Sequence, residues 1–332
     1  MLKYLYIITV ICYNTKKERG IGMSVLKEFS FESVSGLGKV YVRCHLPEDK
    51  SNIKAIFQMA HGMAEHSVRY DRFAEKLCEH GYAVFINDHI GHGKSVKNDD
   101  MLGYFGKKDG WANLVKDQRK LTELARKECP GVPLVMFGHS MGSFVCRAYT
   151  GKYHDVDAAV YCGTGGPNPA AGIGKAVATA VSKLKGEKHR SKLIDKMAFG
   201  TYNKNFQGKT DFDWLTRDED EVDLYLEDKY CGFLFTAAGY HDLFSILNYV
   251  SQKEWFESVP KELPVFLVAG DSDPVGDYGR GVKKVYDILK ETGHNKAEIK
   301  LYPGARHEIL NETNRDEVMD DIINFADKAL NL

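Results

Sequence analysis

Gly138-His139-Ser140-Met141-Gly142 follows directly on the apolar run Pro133-Leu134-Val135-Met136-Phe137. A serine with glycine two positions to either side therefore stands where a buried strand should turn into a helix. In that setting the serine occupies a sharp turn that lifts its hydroxyl above the sheet edge. Small residues are needed around it because the turn brings the strand and helix backbones together. The helix N-terminus that follows aims N–H groups at charge developing on a bound carbonyl. Ser140 is the candidate nucleophile of an acyl transfer.

A serine hydroxyl attacks only when a base takes its proton, and the base needs a carboxylate to hold its tautomer. With a nucleophile of this kind the chain order is serine, then Asp or Glu, then His. All three come from loops at the carboxyl edge of the sheet. Twelve histidines compete for the base. His307 follows the last expected strand, in Leu301-Tyr302-Pro303-Gly304-Ala305-Arg306-His307, and precedes the final helix. His294 precedes that strand and so falls at the opposite edge; His139 is expected to point away from the site. His307 is the candidate base. The carboxylate should follow the strand Pro264–Ala269, where Asp271, Asp273 and Asp277 compete. Asp273 is preferred and Asp271 stands second, the others being turn formers.

The oxyanion formed on attack needs two N–H donors. One is the backbone N–H of Met141. The other is expected from Met63, in the loop His61-Gly62-Met63-Ala64-Glu65-His66-Ser67 after the strand Ile53–Ala60. His61 and His66 lack a third ligating partner in the sequence and read as structural. No metal and no organic cofactor is expected. Asp88-His89-Ile90-Gly91-His92-Gly93-Lys94-Ser95 reads as a tight turn that shapes the site wall.

The elements that must hold these residues follow from hydropathy patterning. Strands are expected near 28–33, 38–46, 53–60, 82–87, 133–138, 156–162, 263–269 and 297–302. Helices are expected over Tyr70–His80, Trp111–Cys129, Met141–Tyr153, Leu243–Ser258, Gly279–Thr292 and Arg315–Leu330. The first two strands form a hairpin turning at Ser35-Gly36-Leu37-Gly38. From Ile53 strands and helices alternate, which implies a mostly parallel eight-stranded α/β sheet with helices on both faces. About a hundred residues separate the strand ending at Cys162 from the strand beginning at Leu263. Loops that long have structure of their own. Residues 163–242 are therefore an expected inserted cap, between core segments 23–162 and 243–332.

The chain has 332 residues and a formal net charge of −1, with no basic excess to suit nucleic acid. Seven cysteines without a C-x-x-C pair exclude zinc-ribbon and redox motifs and read as buried small hydrophobes in a reducing cytoplasm. Residues 1–22 read as an N-terminal extension. Its apolar stretch Leu5–Tyr13 is too short to span a bilayer, and no small-residue cleavage site follows it. The expected natural start is Met23, since Lys17-Glu18-Arg19-Gly20 can be encoded by a purine-rich ribosome-binding sequence.

Five strings carry a resemblance: HGMAEHSVRY (61–70), NDHIGHGKS (87–95), FGHSMG (137–142), GDSDPVG (270–276) and YPGARHEILNE (302–312). In this order they resemble the α/β-hydrolase superfamily, in its monoacylglycerol lipase and lysophospholipase-like group. The resemblance implies an α/β-hydrolase fold with a cap and again assigns the aspartate to Asp273. It also implies that Glu65 and Arg69 line the polar end of the pocket, near a glycerol or head group. Animal monoglyceride lipases carry a second histidine three positions after the catalytic one; here that position is Leu310. The wording Arg306–Glu312 is more similar to bacterial lysophospholipase-like members.

The function expected is a cytoplasmic serine esterase releasing one acyl chain from glycerol or a lysolipid through an acyl-enzyme on Ser140. Its partner is a small-molecule acyl ester, with transient contact at a membrane surface. The rivals are an aminopeptidase-like or general carboxylesterase activity and a ligand-binding hydrolase scaffold without turnover. An aminopeptidase would use acidic residues such as the Asp218–Glu221 run to hold a free amine.

Overall fold

The computed structural model of the protein describes residues 11–13, 24–206 and 208–332. Most of the expected N-terminal extension, and Met23 with it, lies outside the described residues.

Strands β1 (Ile11–Tyr13), β2 (Ser24–Glu32), β3 (Lys39–Pro47), β4 (Ala55–Ala60), β5 (Tyr82–Asn87), β6 (Leu134–His139), β7 (Ala158–Cys162), β8 (Val265–Gly270) and β9 (Ala297–Tyr302) join in one sheet. Their order is β1-β2-β3-β5-β4-β6-β7-β8-β9. All eight expected strands are present. The ninth is β1, three residues paired antiparallel with β2 and too short to show a period in the sequence. The first three strands are antiparallel and β4 to β9 are parallel.

β4, β5, β6 and β8 are buried along their whole length. Helices cover both faces, which is why these strands read as continuous apolar runs rather than as alternation. Helices α1 (Asp71–Glu79) and α10 (Arg315–Leu330) pack on one face. On the other lie α2 (Gly110–Glu128), α3 (Met141–Thr150), α7 (Ala237–Val250) and α9 (Arg280–Glu291). Before α7, the chain leaving β7 forms α4 (Ala170–Lys185), α5 (Lys192–Phe199) and α6 (Glu219–Glu227).

The single helix expected over Leu243–Ser258 is two helices. α7 begins earlier because Thr236 Oγ1 caps it, accepting the N–H of Gly239 at 3.0 Å. It stops at Ser251, and α8 (Lys253–Ser258) is separate. The expected boundary at 242 thus falls inside α7.

β4 pairs with β5 on one side and β6 on the other, so the strand order reverses there. Such a reversal opens a crevice at the carboxyl ends of the two strands. The loops after β4, β6, β8 and β9 all meet at this edge. No helix among the described residues is long and apolar enough to cross a membrane.

Candidate active site

Ser140 sits between β6 and α3 with φ 52° and ψ −120°. A side-chain-bearing residue keeps such a positive φ only where its surroundings enforce it. Here the Ser140 N–H donates to the Cys162 carbonyl at 3.0 Å. Its own carbonyl accepts from the Ser143 N–H at 2.9 Å and the Ser143 hydroxyl at 2.6 Å. The flanking glycines are sterically required. A Cβ on Gly142 would collide with the Ala60 carbonyl, and one on Gly138 with the backbone of Gly142.

His307 comes from the loop after β9 and Asp273 from the loop after β8. The His307 Nδ1–H donates to Asp273 Oδ2 at 2.9 Å, and the other Asp273 oxygen accepts the Val275 N–H at 2.8 Å. This bond leaves His307 Nε2 free for the cavity, which Ser140 and His307 both line. Asp271 is exposed and accepts the Gly304 N–H at 2.7 Å. Asp277 pairs with Arg280 at 2.6 Å. Of the three aspartates, only Asp273 reaches the imidazole.

Met63 and Met141 line the same cavity. The loop after β4 approaches the serine so closely that a Cβ on Gly62 would lie 3.2 Å from the Ser140 Cβ. Glu65 fastens this loop: its Oε1 accepts the Gly62 N–H at 2.5 Å and the Tyr70 hydroxyl at 2.8 Å. Glu65 also borders the cavity. Arg69 does not, which corrects the expectation that it lines the pocket. It forks onto Glu308 at 2.5 and 2.6 Å, bonds Glu65 at 3.0 Å, and lies over the Tyr225 ring. Its role is to neutralise two buried carboxylates.

His139 does not point away from the site. Its ring lies 4.7 Å from that of His307 and borders the cavity. Nδ1–H donates to Glu65 at 3.2 Å and Nε2–H to the His307 carbonyl at 3.3 Å. Both ring nitrogens thus face acceptors, an arrangement that favours imidazolium. Burial alone would lower the His139 pKa, but the Glu65 hydrogen bond and charge raise it. Burial would likewise raise Glu65, yet His139 and Arg69 hold it well below the usual carboxylate range.

His61 behaves oppositely. Nδ1–H donates to the Gly62 carbonyl at 2.8 Å and Nε2 accepts the His89 N–H at 2.9 Å, which fixes a neutral ring. Burial lowers its pKa to about 4. The turn from Asp88 to Ser95 lies outside the cavity lining and braces the site from behind: Asp88 accepts the Ser67 N–H at 2.9 Å and the Lys94 N–H at 2.7 Å. His66 has the partners that its sequence neighbourhood lacks, since Asp228 and Cys231 lie beside it. Of the six cysteines whose side chains are described, Cys231 alone is not buried.

The cavity holds about 1130 Å³. Phe144, Ile173, Val177, Phe244 and Leu247 give it an apolar wall, and Glu65, His139 and Glu308 add polar lining.

A family model described as serine aminopeptidase, S33, matches residues 51–314. The chain belongs to the S33 serine aminopeptidase family. A carboxyl esterase from Bacillus coagulans, solved in complex with glycerol, superimposes with a TM-score of 0.86 at 32% identity, covering 92% of this chain and 99% of the other. The monoacylglycerol lipase of Mycolicibacterium smegmatis is 28% identical over 91% of this chain and 97% of its own length. The monoglyceride lipase homolog of Monkeypox virus is 29% identical over 84% and 90%. The fold is that of an α/β-hydrolase, as the sequence strings imply.

In this S33 family member two site residues escaped sequence reasoning. Glu308 is buried beside His307, and only its distant partner Arg69 reveals why. Trp214, from the segment between β7 and β8, places its ring 5.2 Å from that of His307. Nothing local marks either one. Leu310 lies off the cavity and packs with Ile309 in the core beneath α10.

Proposed function

We propose that this protein is a serine esterase that hydrolyses single-acyl lipid esters, monoacylglycerol first among them, through an acyl-enzyme on Ser140. The observation that carries this reading is one cavity of about 1130 Å³ containing a strained serine, an Asp273-held imidazole and an apolar wall suited to an acyl chain. The names of the mycobacterial and viral relatives support the glycerol ester; Glu308, where the chain passes between His307 and Leu310, adds polar character to the lining.

His307 takes the Ser140 proton as Oγ attacks the ester carbonyl. The Met63 and Met141 N–H groups receive the oxyanion. His307 then protonates the leaving alcohol, and afterwards activates the water that releases the fatty acid and restores Ser140. Asp273 keeps the imidazole in register. α4 to α6 act as the cap, and Ile173 and Met197, cavity-lining yet more than half exposed, support brief contact with a lipid surface during loading.

The acidic run Asp218–Glu221 does not supply the amine site that an aminopeptidase reading would use. Asp218 is paired with Arg315 and Glu221 with Arg72, and neither borders the cavity. Glu65 and Glu308 are already neutralised by Arg69 and His139. The test is hydrolysis of monoacylglycerols of several lengths, a lysophosphatidylcholine, a short p-nitrophenyl ester and an aminoacyl anilide by wild type and Ser140→Ala. Monoacylglycerol turnover above the rest, abolished in the variant, is expected; activity confined to the anilide overturns the lipid assignment.

A further inference from the structure

We infer that His66, Asp228 and Cys231 form a zinc site that pins the end of α6 to the loop carrying Met63. One imidazole nitrogen, one carboxylate oxygen and the thiol sulfur all lie within 4.8 Å of one another. His66 Nε2 is already 2.8 Å from Asp228 Oδ2. A tetrahedral Zn²⁺, with bonds of about 2.0–2.3 Å, spaces its ligand atoms roughly 3.3–3.8 Å apart. Side-chain rotations of about 1 Å reach that spacing, the His66–Asp228 contact opening as the Cys231 sulfur draws in.

The ligands come from two segments, and the backbone already holds these together. The Gly232 N–H donates to the Ala64 carbonyl at 3.0 Å, and the Tyr225 hydroxyl donates to the same oxygen at 3.1 Å. Asp228 is fixed in turn: its Oδ1 accepts the Tyr230 N–H at 2.8 Å, and its carbonyl accepts the Cys231 N–H at 2.9 Å. Two of the three ligands are thus preorganised before any cation arrives. Arg69 lies nearby, but its guanidinium is spent on Glu65 and Glu308.

A nitrogen, oxygen and sulfur set suits a borderline-soft cation, and Zn²⁺ accepts all three donors with water in the fourth position. On binding, the Cys231 thiol releases its proton to solvent and the sulfur coordinates as thiolate. None of the three ligands borders the cavity, so the ion stays out of the substrate's path. It acts on the chemistry only by stiffening Ala64 and, through it, the Met63 amide.

The test uses the full chain freed of metal with chelator. Zn²⁺ is titrated calorimetrically, and Co²⁺ is titrated as an optical probe. Wild type should bind one Zn²⁺ per chain, rise in Tm, and show the near-ultraviolet charge-transfer band of a Co²⁺–thiolate bond. Cys231→Ser, nearly isosteric, should lose that band, and His66→Gln should bind at least about tenfold more weakly. Circular dichroism of the metal-free variants checks their folding. Absence of the thiolate band in folded wild type, or equal Zn²⁺ affinity in both folded variants, overturns the site.

Discussion

Asp273 grips His307 from a position wholly shielded from water, one carboxylate oxygen 2.9 Å from the imidazole Nδ1 and the other taken by the Val275 amide. The carboxylate is thereby locked in one rotamer, and the imidazole can present only Nε2 to the cavity. An amide at this position would keep the shape but offer the ring the wrong tautomer. Asp273→Asn should lower kcat on a p-nitrophenyl ester about ten-thousand-fold with little change in Tm. Asp271→Asn should stay near wild type. A loss below tenfold at Asp273 would place the working carboxylate elsewhere.

Arg69 supplies the positive charge for two buried carboxylates, Glu65 and Glu308. Removing one partner of a buried pair leaves uncompensated charge, at a cost of about 3–5 kcal/mol. Arg69→Met should show that loss in urea unfolding. Adding Glu308→Leu should recover part of it, because the stranded carboxylate is gone. A single-variant loss under about 1 kcal/mol, the range of exposed pairs, would contradict this account.

Acid should weaken the fold through its buried neutral histidines. Burial lowers the pKa of His61 to about 4 and those of His89 and His92 well below their ordinary value. The unfolded chain takes up these protons near pH ~6.5, while the folded chain refuses them. Their stabilisation is complete above that pH and is lost as the pH falls toward 4. His139, with its pKa raised, works in the opposite sense: its contribution is full below pH ~6.5 and lost as pH rises through the raised value. Glu65, lowered, contributes above pH ~4.3 and loses that only in stronger acid. Asp117, whose pKa burial raises to about 6, and Asp242, also raised, gain stability as the pH falls and so act with His139; the three fully buried histidines outweigh them. Urea midpoints should fall between pH 6.5 and 4.5, His61 alone contributing on the order of 3 kcal/mol. His92→Phe, placed among Phe105, Phe233 and Phe235, should make the decline shallower; a flat wild-type profile would refute the scheme.

Gly174 on α4 touches the Phe244 ring at the apolar wall of the cavity, where a Cβ would come within 2.8 Å of it. Gly174→Val fills the space between these two lining residues and should narrow the acyl path. The kcat/KM for long-chain monoacylglycerols should fall at least about tenfold, with short esters nearly unaffected. Equal losses across chain lengths would mean that this wall does not receive the chain.

The sequence by itself determined the main elements and the order of the candidate catalytic residues along them. Ser140 was legible because glycines at 138 and 142, an apolar run and a helical pattern are local signals. Asp273 and His307 could be named because each follows a strand, so topology alone sends both to one sheet edge. Three matters were decided only by the tertiary structure. Arg69 was expected at the substrate and instead lies between Glu65 and Glu308, 239 positions from the latter. His139 turned toward the site because Glu65 waits for its proton. His66 gained Asp228 and Cys231 from a segment more than 160 positions away. Each of these outcomes is a pairing of polar or charged side chains across distant segments. Burial is what makes such pairing obligatory, and no local window of residues records which partner the fold will bring.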